Sequence, residues 1–265
     1  MMTFIAALVA VLVTIPVVAI VVTASLLRVP IGHGSIYEAV QGFWARTMVR
    51  GGGVRVRVHG AEHIQQSAAC VYVANHVSWF DVFCLASVLP RWSFVAKAEL
   101  RKIPIFGRGA EGVGTIFVER TNRRAALQMY ETAAVRIREG ASVVVYAEGT
   151  RGDEYALRPF KKGPFVLAIQ AGVPIIPVVI MGTREVMRRG QWRVTPGEVH
   201  IHFLDPIPTA VLHYTDRDRL VDTVWTRMAA LLASAYGIES DSRNALVADE
   251  GSELATPVKV GAVTQ

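Results

Sequence analysis

The sequence predicts an α/β fold in which one domain of alternating strands and helices follows an N-terminal membrane-anchoring segment. Short apolar runs rich in β-branched residues alternate with longer helical stretches. An uncharged apolar stretch stands at the N-terminus, and three consecutive glycines at 51 to 53 separate the anchor segment from the rest. The roughly 185 residues from this joint to position 237 are enough for one hydrophobic core.

The first element is the apolar stretch from Thr3 to Leu27, which contains no charged residue. As a helix it would extend about 37 Å, against a hydrocarbon core of about 30 Å. Pro16 should kink this helix, which membrane helices tolerate. A cleaved signal peptide is the alternative, but the stretch is too long and no basic residue precedes it. Both a spanning helix and a re-entrant anchor fit this pattern.

The second element, residues 36 to 49, has the apolar spacing of an amphipathic helix. It could lie in the membrane interface or pack on the domain, and periodicity alone does not separate the two. Arg28, Arg46 and Arg50 follow the apolar stretch, whereas no basic residue precedes it. The positive-inside tendency therefore predicts that the bulk of the chain faces the cytoplasm.

The domain itself, residues 51 to 237, alternates strand-like and helical patterns. Strands are predicted at 54–58, 70–74, 93–96, 114–118, 142–146, 175–181 and 198–204. Helices are predicted at 79–89, 122–138, 164–171 and 216–236. The last segment, 238–265, carries five acidic and two basic residues and should form a flexible acidic tail.

A histidine and a carboxylate stand five positions apart, directly after the second predicted strand. Residues 75 to 81 read Asn-His-Val-Ser-Trp-Phe-Asp. On a continuous helix these two side chains would lie about 140° apart, so a turn followed by a helix from near Trp79 is needed to bring them together. A histidine held by an acid can remove a proton from an alcohol, which indicates acyl transfer. Ser78 and Asp81 could instead form a helix capping box, but this leaves His76 unexplained.

Small residues and cations follow further strand-like runs, as anion binding requires. The run at 142–146 is followed by Ala-Glu-Gly-Thr-Arg at 147–151 and then by Arg-Pro-Phe-Lys-Lys-Gly at 158–163. The run at 114–118 is followed closely by Arg120. For any single arginine a solvated loop charge is the alternative interpretation. Gly-Thr-Arg recurs at 182–184, so this tripeptide alone is a weak signal.

Four sequence blocks in this order resemble those of the glycerolipid acyltransferases. They are Asn-His-x-Ser-x-x-Asp at 75–81, Gly-x-Ile-Phe-x-x-Arg at 114–120, Glu-Gly-Thr-Arg at 148–151 and Val-Pro-Ile-Ile-Pro-Val at 173–178. The resemblance covers about residues 50 to 210 and is closest to the 1-acylglycerol-3-phosphate O-acyltransferases, or lysophosphatidic acid acyltransferases. It implies a single mixed-sheet acyltransferase domain flanked by helices.

The resemblance also implies a reaction. The family moves a fatty acyl group from a thioester carrier, acyl-CoA or acyl carrier protein, to the sn-2 hydroxyl of 1-acylglycerol-3-phosphate, and so makes phosphatidic acid. Another lyso-lipid acceptor, such as a lyso-ornithine lipid or a lysophospholipid, would use the same chemistry. A non-catalytic membrane lipid-binding protein is the alternative from a different class, but it would not require a base beside an acid.

By the same resemblance, His76 is the general base and Asp81 orients it. The residues implied in substrate binding are Asn75, Ser78, Gly114, Arg120, Glu148, Gly149, Thr150 and Arg151, of which the first two would also support the turn. Lys161 is a further predicted substrate-binding residue, because it belongs to the cationic run at 158–163. Pro174 belongs to a block associated with the acyl donor or with packing. Ala147 and Gly152 replace a proline and a serine common in the family, and these departures bear on the choice of acceptor.

Composition agrees with membrane lipids and phosphate-bearing substrates as partners. The net charge is +6, and no nucleic-acid-binding motif is present. Cys70 and Cys84 are expected to be buried thiols. His200 and His202 should share one strand face, but no Cys or acid stands at ligand spacing, so neither a metal nor a bound cofactor is predicted.

Overall fold

The structure, a computed structural model, describes residues 1–29, 35–64, 69–90, 92–103, 106–118, 133–134, 137, 140 and 142–241. Arg120, most of the helix predicted at 122–138 and most of the predicted acidic tail lie outside these residues.

Helix α1 (Met2–Leu26) begins and ends within one residue of the predicted apolar stretch, and Pro16 lies inside it. Few of its residues are buried, and large side chains such as Phe4 and Leu12 are exposed. Among the described residues it is the one helix that is long and apolar enough to cross a membrane, judged by length and composition.

Helix α2 (Ile36–Gly51) packs against α1 and also against the domain helix at Phe80–Val88, and the second contact favours packing on the domain for this segment. Trp44 Nε1 donates a hydrogen bond to Thr14 Oγ1 of α1 at 3.0 Å. A Cβ at Gly51 would come within 2.8 Å of Val9, so glycine at this position lets the two helices approach closely.

Seven strands form one sheet in the order β1-β7-β6-β2-β5-β3-β4. All neighbours pair in parallel except β6 and β7, which are antiparallel, so the predicted mixed sheet is confirmed. Each predicted strand is present with its ends within two residues. The strands are β1 (Val54–His59), β2 (Val71–Ala74), β3 (Ser93–Lys97), β4 (Ile116–Val118), β5 (Val143–Tyr146), β6 (Ile175–Met181) and β7 (Gly197–Phe203).

Within the described residues, five further α-helices belong to the domain. They are α3 (Phe80–Val88), α4 (Phe106–Gly112), α5 (Gly163–Ala171), α6 (Thr183–Val186) and α7 (Arg217–Tyr236). The sequence did not predict α4 or α6. Helix α4 contains three glycines, which are poor helix formers, and α6 is a single turn.

Strand β2 lies in the middle of the sheet and is fully buried, because helices cover both faces. Val71 and Val73 belong to the apolar cluster that includes α5 and α7. Tyr72 and Ala74 belong to the opposite cluster, which includes α2 and α3. Packing on both faces therefore fixes the position of the turn that follows β2.

The two cysteines are buried free thiols, as predicted. Burial raises the pKa of Cys70 to about 11 and that of Cys84 further still. A thiol kept protonated in this way is a poor nucleophile. Both residues therefore contribute packing.

Candidate active site

The turn after β2 brings His76 and Asp81 together. His76 Nδ1 lies 2.8 Å from Asp81 Oδ2, so the contact expected from the sequence is present. Helix α3 begins at Phe80, close to the predicted start, and the chain reverses between the strand and this helix. The His76 side chain is 15% exposed, whereas Asp81 is fully buried.

Four donors hold the Asp81 carboxylate. Besides His76, the backbone N–H groups of Val77 and Ser78 donate to Oδ2 at 2.7 and 2.8 Å. Thr183 Oγ1 donates to Oδ1. Hydrogen bonds to a charged acceptor fix its position and favour its ionised form. The Ser78 bond is one half of a capping box, so the capping contact and the histidine contact coexist.

Thr183 is a site residue that the sequence did not reveal. It lies at the start of α6, inside the Gly-Thr-Arg repeat at 182–184 that indicated nothing by itself. Its side chain is fully buried against Asp81. Only the pairing of β6 with β2 brings residues 102 positions apart in sequence into contact.

Asn75 and Ser78 hold the turn in place. The Asn75 side chain donates to the Ile180 carbonyl and accepts from the Ile180 N–H, at 3.0 and 2.8 Å. Ser78 Oγ donates to the Met187 carbonyl at 2.7 Å. Both side chains are buried, which favours the supporting role over the direct substrate contact also implied for them.

Glu148 also points inward. Its carboxylate accepts hydrogen bonds from the His76 N–H at 3.0 Å and from Arg158 Nε at 2.8 Å. Burial raises the pKa of Glu148, although the Arg158 guanidinium partly opposes this shift. The Gly152 N–H donates to the His76 carbonyl at 2.7 Å. The loop at 147–152 therefore fixes both backbone groups of His76, and Glu148 acts on the site through the histidine.

Arg151 is the cation of this loop that reaches the catalytic turn. Its guanidinium lies 4.7 Å from the centre of the Trp79 ring, a cation–π contact. Among the described residues it has no carboxylate partner, whereas Arg158 pairs with Glu148 and Arg184 with Glu154. Partial burial lowers the pKa of Arg151, with a further contribution from Arg189.

The other predicted substrate-binding positions differ in what the structure shows. Thr150 and Lys161 are exposed on the loop surface. Gly149 and Gly114 both have positive φ, at 80° and 82°, which favours glycine. Pro174 precedes β6, and its carbonyl accepts from Val71 N–H at the amino end of β2. At 3.3 Å per residue, the five residues from Val71 to His76 place that end up to about 16 Å from His76, which favours the packing role.

Tyr146, the last residue of β5, stacks on the His76 ring with centroids 4.0 Å apart and planes 18° apart. Among the described residues, its buried hydroxyl has no hydrogen-bond partner. Burial, with a smaller contribution from Asp81, raises the pKa of this phenol well above its ordinary value. The sequence offered only an aromatic residue at a strand end as a signal.

Two variants of Tyr146 should distinguish the contribution of its ring from that of its hydroxyl. We expect Tyr146→Phe to keep kcat and to raise the free energy of unfolding by about 1 kcal/mol, because it removes an unsatisfied hydroxyl. Tyr146→Ala should lower kcat about tenfold or more with little change in KM, since the imidazole loses its support. Steady-state kinetics and thermal unfolding measure both. An equal loss of kcat in the two variants would instead assign the function to the hydroxyl.

An apolar cavity adjoins the turn. Its volume is about 270 Å³, and it lies between the two N-terminal helices and the domain. Residues that line it include Val18, Trp44, Trp79, Phe83, Trp92 and Phe94. Trp79 also contacts the guanidinium of Arg151, so this one side chain lies between the cavity and the cation.

Comparison with known proteins identifies the family of the chain. The family model described as Acyltransferase matches residues 55–181. A putative 1-acyl-sn-glycerol-3-phosphate acyltransferase of Caenorhabditis elegans is 36% identical over 196 residues, which cover 73% of this chain and 69% of the relative. The 1-acyl-sn-glycerol-3-phosphate acyltransferase alpha of Bos taurus is 34% identical over 211 residues, which cover 79% and 71%.

A solved structure has the same fold. The crystal structure of the 1-acyl-sn-glycerophosphate (LPA) acyltransferase PlsC from Thermotoga maritima matches with a TM-score of 0.71 and 25% identity. The match covers 88% of this chain and 95% of that one. With the family model and two relatives above 30% identity, these findings show that this chain belongs to the acyltransferase family.

Proposed function

We propose that the protein is a membrane-associated O-acyltransferase that moves a fatty acyl group from a thioester carrier to the sn-2 hydroxyl of 1-acylglycerol-3-phosphate. The contact between His76 Nδ1 and Asp81 Oδ2 at 2.8 Å carries this proposal. The relatives named as 1-acyl-sn-glycerol-3-phosphate acyltransferases support this choice of acceptor. The product is phosphatidic acid, a precursor of phospholipids.

The hydrogen bonds of the pair define its chemistry. An ionised carboxylate only accepts, so the proton of the neutral His76 ring lies on Nδ1, and Nε2 keeps a free lone pair. Nε2 takes the proton of the acceptor hydroxyl as its oxygen attacks the thioester carbonyl. When the carbon–sulfur bond breaks, the imidazolium returns this proton to the leaving thiolate. The products are an ester and a free carrier thiol, and no acyl-enzyme forms.

Arg151 is the described residue best placed to bind the acceptor phosphate. Its guanidinium is free of carboxylate partners among the described residues and is oriented by Trp79. A guanidinium can form two parallel hydrogen bonds with a phosphate. Arg120, from its sequence block, and Lys161, from the cationic run at 158–163, complete the proposed set of cations.

Replacing Arg151 tests this assignment. Arg151→Ala should raise KM for 1-acylglycerol-3-phosphate about ten- to hundredfold, because it removes a charge-assisted bond. The kinetics of a phosphate-free acceptor such as a monoacylglycerol should change little. Arg193→Ala, at an exposed arginine outside this loop, is the matched control. An equal loss with both acceptors would rule out phosphate binding by Arg151.

The apolar cavity provides a place for an acyl chain. Its lining is almost entirely hydrocarbon and aromatic, and α1 contributes part of the wall. An acyl chain that enters from the membrane could therefore reach the turn without crossing water. This position supports a donor or acceptor tail beside His76.

The N-terminal helices supply the proposed membrane attachment. Residues 1–50 would form the anchor, 51–237 the catalytic domain and 238–265 a flexible acidic tail. Exposed apolar side chains on α1 support burial of that helix in lipid. Arg28, Arg46 and Arg50 favour a catalytic domain on the cytoplasmic side.

One assay compares the candidate functions. Detergent-solubilised enzyme is offered 1-acylglycerol-3-phosphate, a lyso-ornithine lipid and a lysophospholipid, each with acyl-CoA and with acyl carrier protein as donor. We expect the highest kcat/KM with 1-acylglycerol-3-phosphate. A higher value with another acceptor would replace that substrate, while lipid binding without turnover in every combination would favour the non-catalytic alternative.

A further inference from the structure

Three histidines come together on β1 and β7. The parallel register places His59 beside His202, and His200 stands two residues earlier on β7. One ring nitrogen from each of the three lies within 4.8 Å of the other two. The sequence predicted no metal because His200 and His202 lacked a partner at ligand spacing. The sheet supplies that partner from a position 141 residues away.

The spacing of two ring nitrogens is close to that of metal ligands. His59 Nε2 lies 3.0 Å from His200 Nδ1. Two nitrogens on one tetrahedral zinc ion, each bonded at about 2.0–2.1 Å, lie about 3.3 Å apart. The two rings are therefore close to ligand spacing already. The third ring, His202, stacks on His59 with centroids 4.3 Å apart, and one of its nitrogens lies within 4.8 Å of a nitrogen of each of the other two rings.

Neighbouring groups occupy the other nitrogens of two rings. His200 Nε2 lies 3.3 Å from Glu198 Oε1. His202 Nε2 lies 2.6 Å from Tyr236 Oη. Metal-bound histidines typically direct their second nitrogen to a carboxylate or another polar group, which fixes the ring and leaves one nitrogen for the ion. Both residues show this arrangement.

We propose that His59, His200 and His202 bind one zinc-class divalent transition-metal ion, with water in the fourth position. Imidazole nitrogens are suitable ligands for zinc, copper, nickel and cobalt ions. Glu198 offsets the positive charge that Arg57 adds at this edge, because the two side chains form an ion pair at 3.1 Å. Water can reach the site, since the His200 side chain is 34% exposed.

The ion would tie β1 to β7, with Tyr236 at the end of α7 as a supporting contact. It takes no part in acyl transfer, because the catalytic pair lies on the turn after β2. The proposal is therefore independent of the proposed function.

Zinc titration of the full chain tests the site. The protein is purified without a polyhistidine tag, stripped with a chelator and titrated with Zn²⁺ in detergent by calorimetry. We expect one ion per chain and a rise in Tm on binding. His59→Asn and His200→Asn should each weaken binding at least about tenfold, because loss of a supporting group alone typically costs that much.

Matched variants and a spectroscopic signal make the result decisive. His213→Asn changes a histidine outside the cluster and keeps a good helix-capping residue, so it should bind zinc like the wild type. Cobalt(II) should give visible bands of four-coordinate geometry in the wild type and lose them in His59→Asn. Wild-type zinc affinity in His59→Asn and His200→Asn, or an absence of binding in the wild type, would overturn the proposal.

Discussion

The change His76→Ala should lower kcat by about 10²- to 10⁴-fold, the usual contribution of a positioned general base. No other described histidine contacts Asp81, so none can replace the lost imidazole. KM for the acceptor should change little, because the groups proposed to bind it are the cations and the apolar cavity, not the imidazole. Steady-state rates with 1-acylglycerol-3-phosphate and an acyl thioester measure both quantities.

The backbone around His76 should survive this change. Its N–H is bonded to Glu148 and its carbonyl to Gly152, and neither bond uses the imidazole. Thermal unfolding should therefore shift only modestly. The matched control is His213→Asn, which should retain wild-type rates. Near wild-type turnover in purified His76→Ala would refute the assignment of the base.

The fold was predictable from the sequence wherever the pattern was local. A continuous uncharged stretch gave α1 within one residue at each end, and β-branched runs gave all seven strands. The contact between His76 and Asp81 was predictable for the same reason, since only five positions separate them. Their catalytic roles stay predictions until the variants are measured.

The remaining parts of the site depend on which strands become neighbours. Thr183 contacts Asp81 because β6 lies beside β2. Tyr146 contacts His76 because β5 lies on the other side of β2. The third histidine at the β1–β7 edge follows from strand order in the same way. Glu148, which the resemblance implies in substrate binding, is buried and pairs with Arg158. The pattern of one sequence does not determine which strands pair or how they align, so it could not predict these contacts.

A second large effect is expected from Asp81→Asn. An asparagine side chain has about the same shape, but its amide nitrogen is a donor, and the Asp81 carboxylate accepts from four donors. The NH2 group of the asparagine would therefore either point at one of these donors or force that donor to move away. We expect the His76 ring to lose its fixed tautomer, with kcat reduced about 10³- to 10⁴-fold, as when a triad acid is changed in this way.

Stability should fall together with activity. Asp81 is fully buried, so donors that lose it cannot turn to water instead. Each unsatisfied group costs about 1–3 kcal/mol, and the contributions are not additive because they share one carboxylate. We expect a loss of about 3 kcal/mol in the free energy of unfolding. Denaturant unfolding in detergent measures it.

Variants of Thr183 should distinguish the effect of Asp81→Asn on activity from its effect on stability. Thr183→Val removes one donor to Oδ1 and leaves the bond from His76 to Oδ2 in place. It should reduce kcat only severalfold, and Thr183→Ser should restore the rate because the hydroxyl returns. If Thr183→Val were as inactive as Asp81→Asn, the hydrogen bond from Thr183 to Oδ1 would matter as much as the one from His76 to Oδ2. If Asp81→Asn kept near wild-type turnover, the carboxylate would have no orienting role, and His76 would act without it.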